Sequence, residues 1–133
     1  MAEFNIPKHG QICWRELATK DLPAAKEFYR QMFGWTMERS KVSPVIEYQE
    51  IHVGNAAVGG MMAIDASWGD PPPPSHWSTY IAVDNADETV AKITANGGSI
   101  RVPAFDAPGV GRIAIAVEPG GAGFAIIQFA QAG

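Results

Sequence analysis

The chain has 133 residues, a formal net charge of −4 at pH 7 and a single cysteine, Cys13. That length suits one ordinary domain or two half-domains sharing a core, and 47% hydrophobic residues can fill a sizeable interior. The charge leaves no basic footprint for nucleic acid or an anionic membrane surface, and a lone thiol excludes an internal disulfide or a zinc site needing several thiolates.

The opening residues, MAEFNIPKHG, carry no charged-then-apolar signal pattern, and no apolar run approaches the roughly 18 residues of a membrane span, so the expected location is cytoplasmic. Residues 12–17 have strand composition, with Cys13, Arg15 and Leu17 on one face and Trp14 and Glu16 on the other. Asp21 is placed to cap a helix with Pro23 in its first turn. Leu22, Ala25, Phe28, Tyr29, Met32 and Phe33 recur at helical spacing, which predicts one buried stripe, and Gly34 supplies a left-handed stop. Strands are expected over 36–39 and 45–53, with a turn at Ser43-Pro44 between them. Gly54-Asn55 signals a hairpin into a returning strand over 56–64.

Residues 65–76, DASWGDPPPPSH, interrupt the pattern with prolines at 71 to 74. Such a run lacks amide donors and favours an extended spacer; a proline-rich ligand for a partner is the alternative. A strand over 77–83 follows, then a helix capped at Asp84-Asn85 and stopped at Asn96-Gly97-Gly98. Strands are expected over 99–104, 112–117 and 123–129, the last two joined across 118–121. Both halves therefore read β-α-β-β-β, with Gly34 and Gly98 standing 64 residues apart, as do Trp14 and Ser78. Two copies of a unit that cannot bury its own sheet are expected to pair.

The motifs W-R-E-L-x-T-x-D (14 to 21), F-Y (28, 29), F-G-W (33 to 35), W-x-x-Y-x-x-V-D (77 to 84), A-N-G-G (95 to 98), P-G-V-G-R (108 to 112) and E-P-x-G-A-x-F-x-I-x-Q (118 to 128) run in order through two modules. In this order the chain resembles the vicinal oxygen chelate superfamily, which includes glyoxalase I, extradiol dioxygenases, fosfomycin-resistance enzymes and bleomycin-binding proteins. The resemblance implies an α+β fold in which two βαβββ modules form a curved eight-stranded mixed sheet, a cup or open barrel with helices outside. It implies one domain over 1–133, with modules at about 8–64 and 77–130 around the linker 65–76, and a homodimer.

Enzymes of that superfamily place a metal-binding His on the first strand of each module and a Glu on the last. The matching positions here are Trp14, Gly60, Ser78 and Ala125, so the expectation is no cofactor and no metal at the inherited site. A displaced divalent metal would need His52 and His76 to converge with Glu16; each histidine is otherwise a surface or hydrogen-bonded residue, and His9 is expected in an exposed loop. Glu16, inward with Trp14, is either a general base, an anchor for a cationic or hydroxylated ligand, or a structural carboxylate paired with Arg15, Arg112 or a backbone amide. Trp14, Ser78 and Tyr80 would line the cup, or simply fill it, with Tyr48, Met62 and Arg112 as further candidates. Arg112 would clamp a carboxylate or tie a loop to Asp106 or Glu118. Cys13 faces the helix side with no base beside it and is expected to be inert.

Two functions follow. One is a metal-free cup that binds a small aromatic or hydrophobic molecule, as at the drug-sequestering end of the superfamily. The other is a glyoxalase-like lyase, isomerase or oxygenase-type enzyme that uses a displaced metal or Glu16 as general base. A regulatory dimer without a ligand is the third.

Overall fold

The computed structural model describes residues 6–40 and 47–130. Its elements run β1 (Ile12–Thr19), α1 (Leu22–Phe33), β2 (Thr36–Arg39), β3 (Tyr48–Val53), β4 (Ala56–Ala63), β5 (His76–Ala82), α2 (Ala86–Ala95), β6 (Ser99–Ala107), β7 (Gly111–Val117) and β8 (Gly123–Phe129), with a short 3-10 turn over Ala66–Trp68. Eight strands with both parallel and antiparallel pairs, plus two helices, make this an α+β fold of mixed sheet. The expected turn at Ser43-Pro44 lies outside the described residues.

The chain divides into two compact units, Trp14–Ser78 and the remainder before and after it. The division falls inside β1 and β5, and residues 65–76 belong wholly to the first unit.

In the first unit the strand order is β2-β3-β4-β1. The helix α1 starts where Asp21 Oδ1 accepts from the Ala24 N–H at 3.0 Å, and it ends where Gly34, at φ 71°, donates its N–H to Arg30 O. One face of the sheet meets α1 through Leu17, Leu22, Ile51 and Met61, with Ala25, Tyr29, Trp35 and Met37 around them. Burying side chains as completely as Ile51 and Met61 contributes roughly 1.5–3 kcal/mol each. β1 and β4 run parallel and close: a Cβ on Gly59 would sit 2.5 Å from the Arg15 carbonyl oxygen.

The helix stripe is not buried as a whole. Leu22, Ala25 and Tyr29 pack on the sheet, whereas Phe28, Met32 and Phe33 are 55%, 54% and 63% exposed. Six apolar positions on a twelve-residue helix cover more of its circumference than one flat sheet can contact, so the flank of the stripe stays out. Tyr29 instead anchors an aromatic group: it stacks on Trp35 at 4.9 Å, and Trp77 meets both rings edge-on while donating its indole N–H to the Tyr29 hydroxyl at 3.2 Å.

The second unit has strand order β5-β8-β7-β6, with α2 covering one face through Val83, Ala86, Ala114 and Ile126. Asn85 caps α2 by accepting from the Glu88 N–H, and Gln128 Oε1 accepts from the Ala86 N–H. The approach to β1 is stitched to the end of β5, Gly10 N–H to Ala82 O and Ala82 N–H to Gln11 O. His9, expected to be a plain loop residue, is half exposed but accepts the Asp84 N–H at 2.9 Å. β6 runs three residues beyond the expected 104 by way of two register shifts against β7. Among the described residues no helix is long and apolar enough to cross a membrane.

Gly59→Ala is expected to lower the unfolding free energy in urea by about 1–3 kcal/mol, because the new Cβ meets backbone rather than a movable side chain. Unchanged stability would show that β1 and β4 do not approach as described.

Candidate functional site

The face of the first unit's sheet that turns away from α1 is set by strand alternation. Leu17, Ile51 and Met61 point to the helix, so Trp14, Glu16 and Ala18 on β1, Tyr48, Glu50 and His52 on β3, and Gly60 and Met62 on β4 point the other way. The pairing aligns Glu38, Glu50, Gly60 and Glu16 in one row across four strands, and Tyr48, Met62 and Ala18 in the next. Three carboxylates, one imidazole and no Lys or Arg occupy these positions.

Two aromatic side chains close over the gap in the row. The Trp14 indole N–H donates to the Tyr48 hydroxyl at 2.8 Å. A Cβ on Gly60 would fall 2.0 Å from that hydroxyl and 2.2 Å from Cζ of the ring. The Tyr48 phenol therefore fills the space that any side chain at position 60 would need. Glu16 and Glu50 flank it, both partly buried, opposite Gly60 on either side.

His52 lies beside the two outer carboxylates, its Nε2 3.3 Å from Glu50 Oε1 and 3.7 Å from Glu38 Oε2. These are ion-pair distances without hydrogen-bond geometry, and the buried Nε2 has no hydrogen-bond partner. His76 is turned elsewhere: its Nδ1 is 2.8 Å from Pro74 O and its ring packs edge-on to Trp68 at 6.4 Å. Glu16, His52 and His76 form no metal-holding group, nor does any other trio of His, Cys, Asp or Glu among the described residues.

The four inherited metal positions do not fit a resident divalent ion. Gly60 and Ala125 have no donor atom, the Trp14 indole offers an N–H rather than a lone pair and spends it on Tyr48, and Ser78 brings one neutral hydroxyl.

The remaining candidates lie in different settings. Ser78 is half-buried at the end of the first unit. Tyr80, in the second unit, is 8% exposed and shares with Ala125 and Ile115 the face turned away from α2. Arg112 is on the opposite face, in phase with Ala114, and its guanidinium is held by Asp87 at 3.1 Å and Asp106 at 3.0 Å, which raise its already high pKa. Of the two expectations for Arg112, the structure shows the tie to Asp106, with Asp87 as a second partner, so that Arg112 joins β7 to β6 and α2. Cys13 donates to Tyr80 O at 3.6 Å and burial raises its pKa, as an inert thiol requires. Two shallow clefts, of about 340 Å³ around Asp106 to Ala130 and about 320 Å³ around Lys20 to Ala63, include Arg112 but none of the other candidates. Period-2 alternation puts His52 and Glu50 on one face, but sequence reasoning missed Glu38 beside them; Glu38 and Glu50 are adjacent only through the β2–β3 register, which no local motif encodes.

The family model described as Glyoxalase/Bleomycin resistance protein/Dioxygenase superfamily matches residues 11–126. The protein of Mycobacterium bovis named "Putative glyoxylase CFP32" is 36% identical over 126 residues, which is 92% of this chain and 46% of the relative. The "Anthracycline biosynthesis protein DnrV" of Streptomyces peucetius is 28% identical over 127 residues, 88% of this chain and 46% of that one. The chain thus spans about half the length of the curated relatives it matches. Among solved structures, methylmalonyl-CoA epimerase from Mycobacterium tuberculosis shares the fold at a TM-score of 0.63, with 18% identity over 92% of this chain and 89% of the epimerase.

Gly60→Ala is expected to displace the Tyr48 ring and cost about 1–3 kcal/mol, and to cost less once Tyr48→Ala has cleared the space. A double-mutant cycle by urea unfolding should return a coupling of about 1–2 kcal/mol. Strict additivity would show that the phenol does not stand over Gly60.

Proposed function

The chain belongs to the glyoxalase/bleomycin resistance protein/dioxygenase superfamily, and from that premise we propose that it binds a small aromatic or hydrophobic molecule without a resident metal ion. One observation carries the reading: where the superfamily's enzymes present a metal-binding carboxylate, this chain has Gly60, covered by a Tyr48 phenol that Trp14 holds in place. A locked aromatic pair is a poor coordination sphere and a good floor for a flat ligand, since it presents ring surface at little entropic cost. Glu16 and Glu50 beside it would accept from a hydroxyl or ammonium group on the ligand. The anthracycline named by the Streptomyces relative is a flat fused-ring molecule, which supports the same chemical class.

The enzymatic alternative keeps one specific support. Glu16 is a partly buried carboxylate on the aromatic face, in reach of a ligand seated on Trp14, and the mycobacterial relatives are named as glyoxylases. Glu16 would then act as a general base, moving a proton without a metal.

A thermal-shift screen of flat aromatic compounds should find one whose presence at about 100 times its dissociation constant adds roughly 2.7 kcal/mol of stability. Trp14→Ala should weaken that compound at least about tenfold, whereas Glu16→Gln should leave affinity within a few fold. Turnover of the bound compound that disappears in Glu16→Gln would replace the binding reading with the enzymatic one. Binding indifferent to Trp14→Ala would overturn both placements of the ligand.

A further inference from the structure

Along one face of β3 the side chains of Tyr48, Glu50 and His52 follow one another, about 6.5 Å apart by strand geometry. Glu50 therefore stands between two neighbours of different kinds. On one side is the Tyr48 phenol that the Trp14 indole holds, and on the other is the imidazole of His52. The Glu50 side chain is 33% exposed and has room to turn toward either, whereas that of His52 is 19% exposed.

His52 is the poorly satisfied member of the group. Its buried Nε2 lies 3.3 Å from Glu50 Oε1 and 3.7 Å from Glu38 Oε2, yet makes no hydrogen bond. An uncharged imidazole gains little there: a lone pair on Nε2 repels both oxygens, and an N–H lacks the geometry to bond either. A proton added to the ring changes the balance. The imidazolium attracts two carboxylates at once, and a small turn of Glu50 completes a charge-assisted hydrogen bond. Among the described residues, the charged groups that face His52 are Glu38 from β2 and Glu50 from β3. β4 meets it at Ala57 and brings none, Glu16 of β1 lies beyond Gly60 in the Glu50 row, and α1 packs on the opposite face.

The state of His52 bears on what the face can hold. With the ring uncharged, three carboxylates and no Lys or Arg stand around the Trp14–Tyr48 pair, a setting that attracts a cation through charge and through the ring faces. With the ring charged, Glu50 is engaged and the imidazolium repels a second cation.

We propose that His52 is a positioning residue that decides whether the ligand face accepts a positively charged aromatic molecule. Uncharged, it leaves Glu50 to the ligand; protonated, it draws Glu50 away, so cation binding weakens as the pH falls. The proposal rests on the reading of Trp14 and Tyr48 as the ligand floor. By linkage, a bound cation must in turn disfavour the proton on His52.

Two flat fluorescent probes separate these parts: N-methylacridinium, a cation at every pH, and acridone, neutral throughout. The test is titration of the chain with each probe from about pH 5 to about pH 8, the span in which imidazoles as a class change charge. N-methylacridinium is expected to bind about three to ten times more tightly at the upper end than at the lower, and acridone equally at both within about twofold. His52→Gln should hold N-methylacridinium near its upper-end affinity at every pH. Should that variant fail to fold, Glu50→Gln supplies the second reading: it must flatten the same profile and leave acridone binding unchanged. A cation profile that is flat in the unaltered chain, or that survives either substitution, overturns the role of His52, while acridone binding that is sensitive to Trp14→Ala leaves the floor standing. If neither probe binds, or both ignore Trp14→Ala, the floor fails and the role of His52 falls with it.

Discussion

The hydrogen bond from the Trp14 indole to the Tyr48 hydroxyl is the contact on which the functional account depends. It joins β1 to β3 across β4, and it is feasible only because position 60 on the intervening strand has no side chain. Glycine here does not relieve a backbone conformation; it clears volume for a ring. The consequence is chemical: the row Glu38, Glu50, Gly60, Glu16 has its gap roofed by a phenol where the superfamily's enzymes would extend a carboxylate. A donor set built from an indole N–H, a hydroxyl and two positions without a donor atom does not replace the water around a divalent ion.

The same sheet explains why the unit has two surfaces of different character. Alternation sends Leu17, Ile51 and Met61 to α1 and sends the carboxylates and aromatics the other way. The helix then covers the apolar face with a narrow stripe, leaving its own flank of Phe28 and Met32 uncovered. One unit thus holds two separate apolar features, the Trp14–Tyr48 pair flanked by carboxylates and a partly exposed aromatic helix face.

Much of this was legible in the sequence because it depends on local rules. The strand ending before Asp21, the cap itself, the stop at Gly34 and the hairpin at Gly54-Asn55 are each written in a few consecutive residues, and the repetition in the second half follows the same signals. That Trp14 and Glu16 share the face turned away from α1 follows from period-2 alternation alone. What escaped depends on three-dimensional neighbours. Helical spacing shows that Phe28, Met32 and Phe33 belong to an apolar arc, but only the width of the sheet decides how much of that arc is covered. The pairing of Arg112 with Asp106 was legible across the intervening turn, but its second partner, Asp87, comes from a helix that no local signal places beside it. The filling of Gly60 by Tyr48 needs a strand register, which composition does not supply.

The central claim is that recognition on this face runs through aromatic side chains and needs no ion. Calorimetric titration of a bound aromatic compound, before and after exhaustive treatment of the chain with a chelator, tests it most directly. The account predicts the same dissociation constant in both states. Binding that is lost on chelation and restored by a stoichiometric divalent cation would contradict it.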